Sequence, residues 1–154
     1  MSSRDWKQEL KDHFDGIRII DKCKAETISN FDQFSEFIVE PAYEALADEL
    51  KSYGVESKFR KIKEKEVFIA ICFPESKDEQ FRYKLVILPN SVELKLLAVV
   101  EGRRTRRSNF ITKSEPFMPG LKTNDILKMD KEEIILHLLD RYRTFIYESL
   151  TTPD

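Results

Sequence analysis

Glycine is nearly missing from this chain, with four copies in 154 residues. Glycine is the default residue for strained, positive-φ turns, so its scarcity points to long regular elements joined by few tight turns. Cysteine is just as sparse. Cys23 and Cys72 lie far apart and neither belongs to a CxxC pair, which argues against a disulfide framework or a thiolate metal site. Cys72 falls in an apolar run and reads as a buried, reduced thiol. The two histidines, His13 and His137, stand alone, and no Glu-x-x-His pair of the di-iron kind is present. There is no phosphate-binding loop, no nucleophile elbow and no dinucleotide glycine pattern. No apolar run approaches the roughly 20 residues that cross a bilayer. The opening stretch MSSRDWKQELKDHF has no apolar segment of the secretory type. The expectation is a cytoplasmic, non-enzymatic protein without cofactor, metal or membrane span.

What is present supports one domain over residues 1–154. Hydrophobic residues make up 41% and charged residues 35%, and a chain of this length buries roughly 70% of its unfolded surface, enough for a core without staples. Arg4–Lys24 reads as a charged helix, weakened by Gly16 and with an uncertain end, because GIRIID also suits an extended segment. Ile28–Tyr53 carries the strongest helical period, with Phe31, Phe34, Ile38, Ala42, Ala45, Leu46, Leu50 and Tyr53 on one face. Asn30 is the expected N-cap and Gly54 the expected C-terminal cap. Pro41 lacks a backbone donor, which predicts a kink or two helices meeting at Glu40–Pro41.

The period then changes to two. EVFIAICF, EQFRYKLVIL and SVELKLLAVVEG alternate as strands, the first apolar on both faces and hence expected at the centre. VESKFRKIK reads as an edge strand defended by charge. SNFIT is a candidate fifth strand, SEPFMPGLKTND a loop, and Asp130 with Glu133 opens a last helix with a capping-box spacing. The expected fold class is α+β: an antiparallel four- or five-stranded meander covered by N-terminal helices and a C-terminal helix.

Charge is distributed unevenly. Residues 1–53 hold seven basic and twelve acidic side chains, residues 54–113 fourteen and eight, and residues 114–154 five and eight. Four arginines crowd EGRRTRRSNF. Arg103, Arg104, Arg106 and Arg107, with Asn109, are expected at a hairpin tip that Gly102 permits, where planar guanidinium forks match carboxylate or phosphate. Their expected partner is an acidic protein or a nucleic-acid backbone, although the overall acidity is unlike that of dedicated nucleic-acid domains. Asp32, Glu36, Glu40, Glu44 and Asp48 recur every fourth residue. They read as a solvated helix face, as a docking row for a basic partner, or as ion-pair partners of the basic sheet. Complementarity between that row and the arginines is also compatible with a homo-oligomer. A second reading is an aromatic cavity for a small hydrophobic ligand between sheet and C-terminal helix, drawing on Phe68, Phe81, Tyr83, Phe117, Met118, Tyr142 and Phe145.

Overall fold

The computed structural model describes residues 4–151. Helix α1 (Trp6–Phe34) runs through a π-helical turn (Ser35–Val39) into α2 (Glu40–Lys51). Strands β1 (Ser57–Ile62), β2 (Glu66–Cys72), β3 (Glu79–Ile87), β4 (Leu96–Gly102) and β5 (Ile111–Pro116) follow, then a short α3 (Thr123–Leu127) and α4 (Lys131–Thr151). The strands form one antiparallel sheet in the order β1-β2-β3-β4-β5. Helices cover one face, which gives the α+β architecture that the change of period implies.

Alternation decides which side chains enter the core. Val67, Ile69 and Ile71 of β2 and Phe81, Tyr83, Leu85 and Ile87 of β3 are buried in one cluster with Phe31, Phe34, Tyr43, Ile134 and Leu138 of the helices. Tyr43 is fully buried, and its hydroxyl donates to the Val67 carbonyl at 3.0 Å, tying α2 to the sheet. The opposite face carries charge. Lys84 Nζ lies 2.6 Å from Glu101 and 3.9 Å from Glu66, and Arg82 lies 3.0 Å from Glu79. The middle position belongs to β3 rather than to β2. Even so, β2 is paired on both sides, and Ala70 and Cys72 on its second face are buried.

The helical region departs from expectation in three places. First, α1 is continuous to Phe34, so Asn30 lies inside a helix and Asp5 is the N-cap, accepting from the Gln8 N–H at 3.2 Å. Second, α2 begins at Glu40 with Pro41 in its first turn, as expected, but the chain reaches it through a π turn and not through a break. Just before the proline it widens by one residue, and the Glu40 N–H bonds to the Ser35 carbonyl, five residues back. A π turn of this kind re-routes backbone bonds around a residue that cannot donate one. Third, TND, the end of the segment expected as loop, opens α3, whose Asp125 carboxylate accepts the Lys122 N–H at 3.1 Å. Gly54 caps α2 as expected. At φ +73° it forms a Schellman pair of bonds, Gly54 N–H to Lys51 and Val55 N–H to Leu50. Asp130 accepts the Glu132 N–H at the start of α4.

Two strand boundaries also move. β4 begins at Leu96, not Ser91. The stretch before it is a turn with Asn90 at φ +59° and with Leu94 buried, its N–H bonded to Thr123 Oγ1. β5 extends to Pro116, into the segment expected as loop.

Candidate binding surface at the arginine hairpin

The arginines occupy the connection between β4 and β5. Gly102 does not make the turn. It is the last residue of β4, buried, and an added Cβ would stand 2.5 Å from the ring of Phe145 on α4. Its missing side chain lets helix and sheet approach closely.

Arg103 is consumed by the loop itself. Its N–H bonds to the Gln80 carbonyl, its Nε donates to Glu79 O at 2.7 Å and its Nη1 to Arg106 O at 3.0 Å. The Phe110 ring receives two guanidinium groups, that of Arg82 at 4.0 Å and that of Arg103 at 4.6 Å. Thr105 and Ser108 join their hydroxyls across the turn at 2.6 Å. Arg106 leans on Asp78 at 3.6 Å, with both side chains more than half exposed, a pair of little energetic weight. Arg104, Arg107 and Asn109 are exposed. The hairpin therefore brings the five residues together as expected but divides them: Arg103 holds the loop in shape, Arg106 leans on Asp78, and Arg104, Arg107 and Asn109 have exposed side chains.

The acidic row is not brought together as one ribbon. Asp32 lies 3.2 Å from Lys61 of β1, both largely covered, so one end is used for attachment to the sheet. Glu36, Glu44 and Asp48 are exposed and Glu40 is partly covered. The π turn between Asp32 and Glu40 removes the four-residue registry across that stretch.

Beside the hairpin, β4 and β5 together with α4 enclose a half-open groove of about 700 Å³. Ala98, Val100, Ile111 and Phe145 give it an apolar lining, and its charged residues balance, Arg104, Lys113 and Arg141 against Glu115, Asp140 and Glu148. Of the aromatic residues considered for a cavity, only Phe145 lines this groove. Phe81, Tyr83 and Phe117 are buried in the core. Strand β5 is exposed along all six residues. The Phe117 N–H bonds to Leu96 O, and alternation from that bond turns the backbone groups of Thr112 and Ser114 away from β4, toward the open edge. Arg141 ties α4 to β5 through an ion pair with Glu115 and also donates to the His137 carbonyl at 2.9 Å.

The sequence signal for this groove is the run ITKSEP, whose alternate residues Ile111, Lys113 and Glu115 share the helix side of the sheet with Ala98, Val100 and Gly102. No sequence pattern marks the pairing of Tyr83 and His137, 2.6 Å apart at the helix–sheet junction. Burial, aided by nearby Arg141, lowers the His137 pKa to about 4, and burial raises that of Tyr83. At neutral pH the imidazole is therefore uncharged and the phenol protonated, and the two share one hydrogen bond.

Cys23 and Cys72 are both free thiols. Cys72 is buried, and burial first of all raises its pKa. Among the described residues no cluster of three metal-ligating side chains occurs, and no helix is long and apolar enough to cross a membrane. No family model, no curated protein and no solved structure matches this chain.

Proposed function

We propose that this chain is a non-enzymatic binding module that captures an extended, acidic segment of another protein along β5 and the adjoining arginine hairpin. The observation that carries this reading is the juxtaposition of a fully exposed edge strand with an apolar groove of about 700 Å³. Outward backbone groups at Thr112 and Ser114 offer strand-addition bonds, which bring affinity. The groove offers a pocket for alternate side chains, which brings selectivity. Arg106 and Arg107 at one end add a field that favours carboxylates and speeds encounter.

The test is affinity capture from a native extract, with and without nuclease. Arg106→Glu with Arg107→Glu, and separately Ile111→Asp, alter exposed positions and leave the core alone. Loss of capture in both variants, with unchanged thermal unfolding, supports the reading, and unchanged capture overturns it. Capture abolished by nuclease assigns the hairpin to a nucleic-acid backbone instead. The groove volume also falls within the range of small-molecule sites. A small hydrophobic ligand is therefore the second reading, and it is separated from the first by a rise in melting temperature when an apolar ligand binds.

A further inference from the structure

A long uncovered apolar surface lies elsewhere, on α1. No described residue of α1 before Thr27 is buried, so about 30 Å of helix, from Trp6 to Glu26, makes no part of the core. Trp6 (63% exposed), Leu10 (47%), Phe14 (56%), Ile17 (39%) and Ile20 (46%) open to solvent along it. At 3.6 residues per turn Trp6, Leu10, Ile17, Ile20 and the buried Phe31 fall within about 80° of arc, with Phe14 at its margin. The stripe that packs against the domain at Thr27, Phe31 and Phe34 thus continues, uncovered, for five more turns.

We propose that two copies of this chain pair antiparallel through that segment. Two observations fix the occupant and its direction. In a parallel, in-register pair each partner helix would run into the domain that already covers Phe31 and Phe34. An antiparallel pair places the two domains at opposite ends and leaves only the free turns in contact. Charge then fixes the register. Setting Leu10 opposite the partner's Ile20 and Ile17 opposite the partner's His13 brings Lys7 against the partner's Asp21 on both sides of the dyad. It also sets Trp6 against the partner's Lys24, a cation–π contact made twice, and Phe14 against its own counterpart. A slip of one heptad either way replaces each Lys7–Asp21 pair with a charge against Phe14. Gly16 meets Gly16 on the other flank, where its open surroundings admit close approach.

The exposed fractions of the stripe amount to about 500 Å² of apolar surface per copy, taking 150–250 Å² per aromatic side chain. With flanking polar area, two copies reach the lower end of the roughly 1,200–2,000 Å² of stable interfaces. A lipid surface fits the face less well. Membrane-lying helices are typically rich in Lys and Arg on the polar side, whereas residues 5–26 carry five basic and six acidic side chains.

Sedimentation equilibrium over a wide concentration range tests the proposal. The expected result is a mass rising from 18.2 kDa toward twice that value, and remaining at the lower value for Phe14→Glu. Lys7→Glu alone and Asp21→Lys alone should each weaken dimerisation about tenfold, and the double swap should restore it. A monomer at every concentration, a dimer unaffected by Phe14→Glu, or single and double swaps behaving alike would overturn the proposal. So would a wild-type chain that stays monomeric in buffer while binding vesicles of anionic lipid. These positions are exposed, so unchanged thermal unfolding separates lost pairing from lost fold.

Discussion

Replacing Gly102 with alanine tests how tightly α4 is seated on the sheet. The added Cβ would stand 2.5, 2.6 and 2.8 Å from Cε2, Cζ and Cδ2 of Phe145. Carbon atoms at rest keep about 3.5–4.0 Å, so the overlap is about 1 Å. Phe145 is only partly covered and its ring yields, but it moves away from its 5.7 Å contact with Phe81. Overpacking of this kind costs about 1–3 kcal/mol, or roughly 2–4 °C of melting temperature per kcal/mol in a chain of this size. The informative measurement is a double-mutant cycle by denaturant unfolding with Gly102→Ala, Phe145→Ala and both together. Removing the ring removes the clash, so the double variant should fall short of additivity by about 1–2 kcal/mol. A Gly102→Ala protein within about 0.5 kcal/mol of the parent, or strict additivity, would show that helix and sheet do not meet as described.

Arg103→Ala should destabilise the fold by about 1.5–3 kcal/mol, because it removes hydrogen bonds from a charged donor and one of the guanidinium contacts to Phe110, whereas Arg107→Ala should change unfolding by less than about 0.5 kcal/mol; equal effects would refute the division of labour within the hairpin. Tyr43→Phe should cost about 1 kcal/mol in urea unfolding through the loss of one buried hydrogen bond, and a neutral result would remove that bond from the core. His137, held at about 4 against an ordinary 6.5, leaves the unfolded chain binding the extra proton first, so stability falls as pH drops from about 6.5 toward 4. Partial solvent access limits that fall to about 1–2 kcal/mol. His137→Gln should flatten this limb of the stability–pH curve, and an unchanged slope would refute the assignment.

The sheet was legible because each strand reports its own environment. In EQFRYKLVIL the apolar and charged residues alternate in register with the two faces, and the structure places Phe81, Tyr83 and Leu85 inside and Arg82 and Lys84 on the charged reverse. The helices were harder for a physical reason. Glycine at 16 and proline at 41 read as interruptions, but a long helix absorbs the first, and one widened turn accommodates the second. β5 was half hidden because ITKSEP is exposed throughout, so no burial pattern marks it. The arginine cluster was visible as composition, but the engagement of Arg103 was not. It depends on Gln80, Glu79 and Phe110, residues that meet only once the meander has closed.

The widened turn at Ser35–Val39 also steers. A helix advances about 100° per residue, so the one residue it accommodates sets the azimuth of everything upstream. Deleting a single position there would close the widened turn, leave Pro41 strained against the preceding helical turn, and swing the projecting arm, with Trp6 and Phe14 on it, about a quarter-turn around its own axis. Local backbone spacing beside a proline thus aims a surface more than 20 residues away.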